Sequence, residues 1–101
     1  MALLTRLILL DPGTIQSHPN MGVGLTTKYR YSLEGAEITL QSDIRQQIDT
    51  YLPRFQGAEV KVAMVDHSFR IAITFSNYVF AFLYDIEENI LTKKFSKLAD
   101  L

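Results

Sequence analysis

Between residues 37 and 84 the hydrophobic positions change period once. Leu40, Ile44, Ile48 and then Tyr51 or Leu52 recur at helical spacing and form one apolar stripe. Gln41, Asp43, Arg45, Gln46, Gln47 and Asp49 stand between them, so residues 37–51 are expected to form an amphipathic helix with an exposed polar face. Pro53 biases Leu52 away from helical dihedrals and lacks an amide proton, so the helix should stop there. Beyond residue 58 the period becomes two. Val60, Val62 and Met64 alternate with Lys61, Ala63 and Val65, and Phe69, Ile71, Ile73 and Phe75 alternate with Arg70, Ala72 and Thr74. Residues 78–84, YVFAFLY, are apolar on both faces. The short connectors Asp66-His67-Ser68 and Ser76-Asn77 make these three strands an antiparallel meander. Packing one sheet face on the helix stripe predicts a two-layer α+β fold.

The flanks are less periodic. Leu3, Leu4, Leu7 and Ile8 fit a short N-terminal helix, although a buried strand fits the same run, and Asp11-Pro12-Gly13 ends either. Residues 11–24 hold two of the three prolines and three of the five glycines, the composition of an ordered loop. Residues 28–33, KYRYSL, read as a short strand or an extended connector. The chain is thus one domain over 1–101: a segment 1–10, loop and connector 11–35, helix 37–51, sheet 58–84, and a tail or arm 86–101. The tail mixes Glu87, Glu88, Lys93, Lys94 and Lys97 with Ile90, Leu91, Phe95 and Leu98, and reads as a further strand, a short helix, or an arm ordered on a partner.

Composition narrows the chemistry. With 48% hydrophobic residues, five tyrosines and six phenylalanines, 101 residues suffice for one modest core. A net charge of −1 lacks the basic excess usual for nucleic-acid or anionic-membrane binding. Lys28-Tyr29-Arg30-Tyr31 interleaves base with aromatics, but Glu34 and Glu37 follow closely, so a solvated strand is the better reading. There is no cysteine, hence no disulfide or thiolate metal site, which fits a reducing cytoplasm. The apolar run at 7–10 is shorter than a signal-peptide core and far short of a membrane span, so a soluble intracellular product is expected.

No catalytic constellation stands out. His18 and His67 fall in turns without companions at ligand spacing, and the glycines at 13, 22 and 24 do not make a phosphate-binding loop. Among the carboxylates Glu34, Glu37, Asp43 and Asp49, the last two lie on the polar helix face, where desolvation should not raise a pKa. No enzyme, metal or cofactor is expected.

Two blocks together resemble a known family. Residues 3–25, LLTRLILLDPGTIQSHPNMGVGL, are similar to the leading block of the small baseplate wedge proteins of contractile phage tails: a leucine-rich segment, a Pro-Gly turn and a Pro-x-x-Gly loop. Residues 44–55, IRQQIDTYLPRF, followed by Val60 and Val62, resemble that family's amphipathic helix, Glu-Pro-Arg corner and first strand. The family includes the baseplate subunit of type VI secretion systems. This chain keeps Pro53 and Arg54 but has Leu52 where the family has glutamate, so only the arginine half of the corner's contact carries over. Some members bear a tail-lysozyme label, which no paired-carboxylate pattern here supports.

The resemblance implies a structural protein of the virion's tail baseplate, assembled in the host cytoplasm and present in several copies within a symmetric assembly. Its implied partners are other wedge proteins and the sheath protein, whose first ring it would template; neither nucleic acid nor membrane is among them. Contacts are expected at the corner Leu52, Pro53 and Arg54, at His18, Pro19 and Gly22 of the loop, and at Tyr78, Phe80 and Phe82 of the sheet. Arg54 would pair with Asp49 or Glu59, with a carboxylate on another subunit, or with water. For residues 78–84 two readings stand: an edge strand covered by a neighbour's strand, or a central strand buried between two layers. Alternatives for the whole are a bacterial secretion or injection-system subunit and a small regulatory adaptor binding one cellular protein.

Overall fold

In a computed structural model, described here for residues 2–29 and 35–97, the chain is a two-layer α+β domain. Three helices, α1 (Ala2–Leu9), α2 (Leu25–Lys28) and α3 (Ala36–Tyr51), precede a 3-10 turn at Pro53–Phe55. Four strands follow: β1 (Glu59–Val65), β2 (Ser68–Phe75), β3 (Tyr78–Asp85) and β4 (Ile90–Lys97). They form one antiparallel sheet in the order β1-β2-β3-β4. The periodicities at 37–51 and 58–84 therefore translate into the expected helix and meander, with α3 beginning one residue earlier.

Pairing places Val60, Ile73, Phe80 and Phe95 in one cross-strand row and Met64, Phe69, Tyr84 and Leu91 in another. This face packs on Leu40, Ile44 and Ile48 of α3 and Leu4, Leu7 and Ile8 of α1, all of them buried. Burial stabilises by about 1.5–3 kcal/mol per aliphatic side chain, so this single cluster holds the layers together. Among the described residues no helix packs on the opposite face, and Lys61, Ala63, Arg70 and Leu83 are exposed on it.

Turns between strands use left-handed backbone at Asp66 (φ 55°), Ser76 (φ 56°) and Asn89 (φ 56°). Asp and Asn tolerate that region better than most residues. Asn89 also accepts a hydrogen bond from the Tyr84 hydroxyl at 2.6 Å, fastening the β3–β4 turn to the core.

The structure decides between several alternatives. The N-terminal segment is a helix. Within the tail, residues 90–97 form β4, the strand among the three readings. Residues 78–84 are a central strand bonded to β2 and β4, so they offer no edge. Nor are they sandwiched between two layers: Phe80, Phe82 and Tyr84 are core, whereas Val79, Ala81 and Leu83 lie on the open face. At 28–33 Lys28 closes the single turn of α2, and 30–33 lie outside the described residues, as do Glu34 and 98–101. No helix among the described residues is long and apolar enough to cross a membrane.

Candidate protein-docking surface

The loop of residues 11–24 is built onto α1 and α3. The amides of Val23 and Gly24 donate to the carbonyls of Leu7 (3.0 Å) and Leu10 (2.9 Å), capping carbonyls that the end of α1 leaves unpaired. Gly22 has φ 122°, and a Cβ there would lie 2.2 Å from the Leu10 carbonyl oxygen, so no other residue fits. Its amide donates to Gln47 Oε1 at 2.7 Å, while Gln47 Nε2 donates to the Asn20 carbonyl at 2.9 Å. Gln47 is therefore buried, not solvated as the polar helix face had suggested, because the loop supplies both of its partners.

Asp43 is likewise occupied. It accepts from the Tyr29 hydroxyl at 2.9 Å and from Lys28 Nζ at 3.0 Å, which ties the end of α2 to α3. Burial first, then the hydrogen bond to Asp43 and its negative charge, push the Tyr29 hydroxyl above its ordinary range. At the start of α2, the Thr27 hydroxyl donates to Asp11.

The corner after α3 follows from Pro53. Leu52 leaves helical dihedrals (φ −127°, ψ 67°) while its amide still donates to Ile48 at 2.9 Å. Its side chain is buried and lines a cleft of about 440 Å³ with Leu3, Arg6, Leu10, Ile15 and Met21. The leading block and the corner, some forty residues apart in sequence, thus share one apolar cleft. Arg54 is exposed and makes no ion pair or hydrogen bond among the described residues. Asp49 does not reach it, and Glu59 pairs with Lys61 at 3.2 Å.

Next to Arg54, Phe55 turns inward and meets Phe75 (5.4 Å between centroids) and Phe80 (5.9 Å) edge-on. Phe95 of β4 continues this cluster, stacked on Tyr78 at 5.1 Å and tilted against Phe80 at 5.1 Å. Phe95 nevertheless remains 49% exposed among the described residues. The two sheet edges differ. On β1 the Val62 amide is taken by Gln41 Oε1 of α3 at 3.1 Å, whereas β4 has no such cover among the described residues.

Pro53, Arg54, His18 and Pro19 are exposed, and His18 meets Tyr51 edge-on at 5.9 Å. Tyr78 is half-buried under Phe95. Leu52, Phe80 and Phe82 are buried, as is the Gly22 backbone, so none presents a surface to a partner and each shapes what surrounds it. Phe95 is not among the expected contacts; the signal for it is that Leu91 and Phe95 share one face of a strand at period two, interrupted by Lys93. His67 is an exposed turn residue, and no group of three or more acidic or histidine side chains among the described residues is placed to share a metal ion. Comparison with known protein families, curated proteins and solved structures gives no match.

Proposed function

We propose that the chain is a structural, non-enzymatic component of a contractile-tail baseplate, joining wedge subunits and providing the template for the first sheath ring. The observation that carries this reading is the Pro53–Arg54 corner. It holds an exposed guanidinium with no partner among the described residues, one position from the phenylalanine that anchors a half-open aromatic cluster. An arginine beside partly exposed aromatic area is the composition of an interface hot spot. The resemblance of residues 3–25 and 44–55 to baseplate wedge proteins supplies the class of partner, a wedge subunit whose carboxylate meets Arg54.

The template would be the β4 edge. Eight residues at about 3.3 Å each give an edge of roughly 26 Å, long enough for strand addition by a sheath arm. Lys93 and Lys94 discourage pairing with a second copy of itself, where lysines would face lysines, and favour an acidic strand.

The experiment is complementation of a tail-producing strain lacking this protein, with wild type or with Arg54→Glu. Arg54→Glu should leave the isolated protein's thermal unfolding unchanged, because the side chain is exposed, yet yield no sheathed tails by electron microscopy. Intact sheathed tails in the complete absence of the protein would refute the reading.

A further inference from the structure

The open face of the sheet carries a feature that the baseplate reading does not use. The register puts Lys61, Ala72, Ala81 and Lys94 in one row across all four strands, and Ala63, Arg70, Leu83 and Thr92 in the next. The alanines leave a shallow trough of about 710 Å³ between flanking basic side chains. The charged side chains that this face presents to it (Lys61, Arg70 and Lys94) are all cations, in a chain whose net charge is −1. The Glu59–Lys61 pair at 3.2 Å adjoins the trough, but both side chains are largely exposed, and such pairs hold their partners weakly.

We propose that this trough is a docking site for an acidic amphipathic helix of a partner polypeptide. Lys61 and Lys94 stand three strand spacings apart, roughly 14 Å. An α-helix with its side chains is roughly 10–12 Å across, so it fits between the two lysines over the Ala72–Ala81 floor. Its apolar stripe would rest on Ala63, Ala72, Ala81 and Leu83, and carboxylates along both flanks would meet Lys61 on one side and Lys94 on the other. Leu83, 40% exposed on a central strand, is the apolar group such a helix would cover. The described part of this face carries no aromatic side chain, so nucleic-acid bases have nothing to stack on. The inference rests on the trough alone and stands whether or not the chain belongs to a tail.

The test titrates the isotopically labelled full chain with two synthetic helical peptides of about five turns, followed by amide chemical shifts. Both carry the same Leu/Ala stripe, flanked by glutamates in one and by lysines in the other. The glutamate peptide should shift the Ala72 and Ala81 amides, and the lysine peptide should not. The double variant K61E/K94E should weaken binding of the glutamate peptide at least tenfold and admit the lysine peptide, with the dispersed spectrum of a folded chain. Lys94→Gln, on the exposed edge strand, should give a partial loss. The proposal is overturned if the glutamate peptide shifts nothing in the trough, or if both peptides bind alike. It is equally overturned if oligodeoxythymidylate or phosphatidylserine vesicles occupy the trough in preference to the glutamate peptide.

Discussion

Replacing Gln47 with leucine tests how the loop of residues 11–24 is held. The substitution keeps a side chain of similar reach and removes both hydrogen bonds, to the Gly22 amide at 2.7 Å and from Nε2 to the Asn20 carbonyl at 2.9 Å. The two losses are unequal. Asn20 is exposed, so its carbonyl regains water and costs about 0–1 kcal/mol. Gly22 is buried against Leu10, and an orphaned amide there costs about 1–3 kcal/mol. Leucine returns part of this as apolar contact, so the net loss should be about 2 kcal/mol, a large share of a small domain's stability. At about 4–8 °C per kcal/mol for a chain of this size, the midpoint of thermal unfolding should fall by roughly 10 °C. Urea denaturation followed by circular dichroism measures the global loss, and hydrogen exchange at the Gly22 amide locates it. A loss below about 0.5 kcal/mol with Gly22 still protected would refute the view that Gln47 fastens the loop.

Three further outcomes check other parts of the structure. Tyr29→Phe should reduce stability at neutral pH by about 1–2 kcal/mol, since it removes a hydrogen bond to a carboxylate. The Tyr29 hydroxyl is raised in the folded state, so its contribution is complete below the ordinary tyrosine pKa of 10.0 and is lost as pH rises beyond it. The wild type should therefore lose stability above that pH more steeply than Tyr29→Phe, and equal slopes in alkaline urea titrations would contradict the assignment. On β3, Phe82→Ala should cost about 3–5 kcal/mol and Val79→Asp less than about 1 kcal/mol, because the first side chain is core and the second lies on the open face; equal losses in urea melts would mean the faces are misassigned. At the β1 edge, Gln41→Ala should speed exchange of the Val62 amide roughly tenfold while leaving Ile71 on β2 unchanged, and an unaltered Val62 rate would mean that Gln41 does not seal that edge.

The elements with a strong period were legible. Leu40, Ile44 and Ile48 announce α3, and the alternation from Val60 to Phe75 announces β1 and β2, because only one face of each can be buried. What stayed hidden depends on partners distant in sequence. Gln47 sits between Ile44 and Ile48 and looks like a polar-face residue until the loop brings Gly22 and Asn20 to it. The position of residues 78–84 within the sheet depends on whether a fourth strand exists, and Lys93, Lys94 and Lys97 disguise that strand. Of the candidate site, Arg54 and the loop were legible as residue types. Their relation to the cleft around Leu52 was not, since it arises from α1 crossing the end of α3. One signal was present and unread: alanine is depleted in strands, yet Ala63, Ala72 and Ala81 all fall on the polar side of the alternation.

The two edges of the sheet show how one helix layer divides the molecule into finished and unfinished surfaces. On β1, α3 lies close enough for Gln41 to take the Val62 amide, so the edge bond is satisfied inside the chain and a partner strand would have to displace it. On β4 no side chain takes an edge amide among the described residues, and the strand carries lysines, which deter pairing with like strands but leave the backbone available. Phe95 argues that this edge is more than a guarded one. Protection of the edge alone would favour a polar residue there, whereas the chain keeps half an aromatic ring in water, stacked on Tyr78 and joined through Phe80 to Phe55 beside Arg54. A surface with lysines on its edge strand, half-open aromatic area and a guanidinium that has no partner among the described residues has the chemistry of attachment to an acidic partner. That combination ties Arg54 and β4 into one proposed docking end, distinct from the alanine trough on the far side of the same sheet.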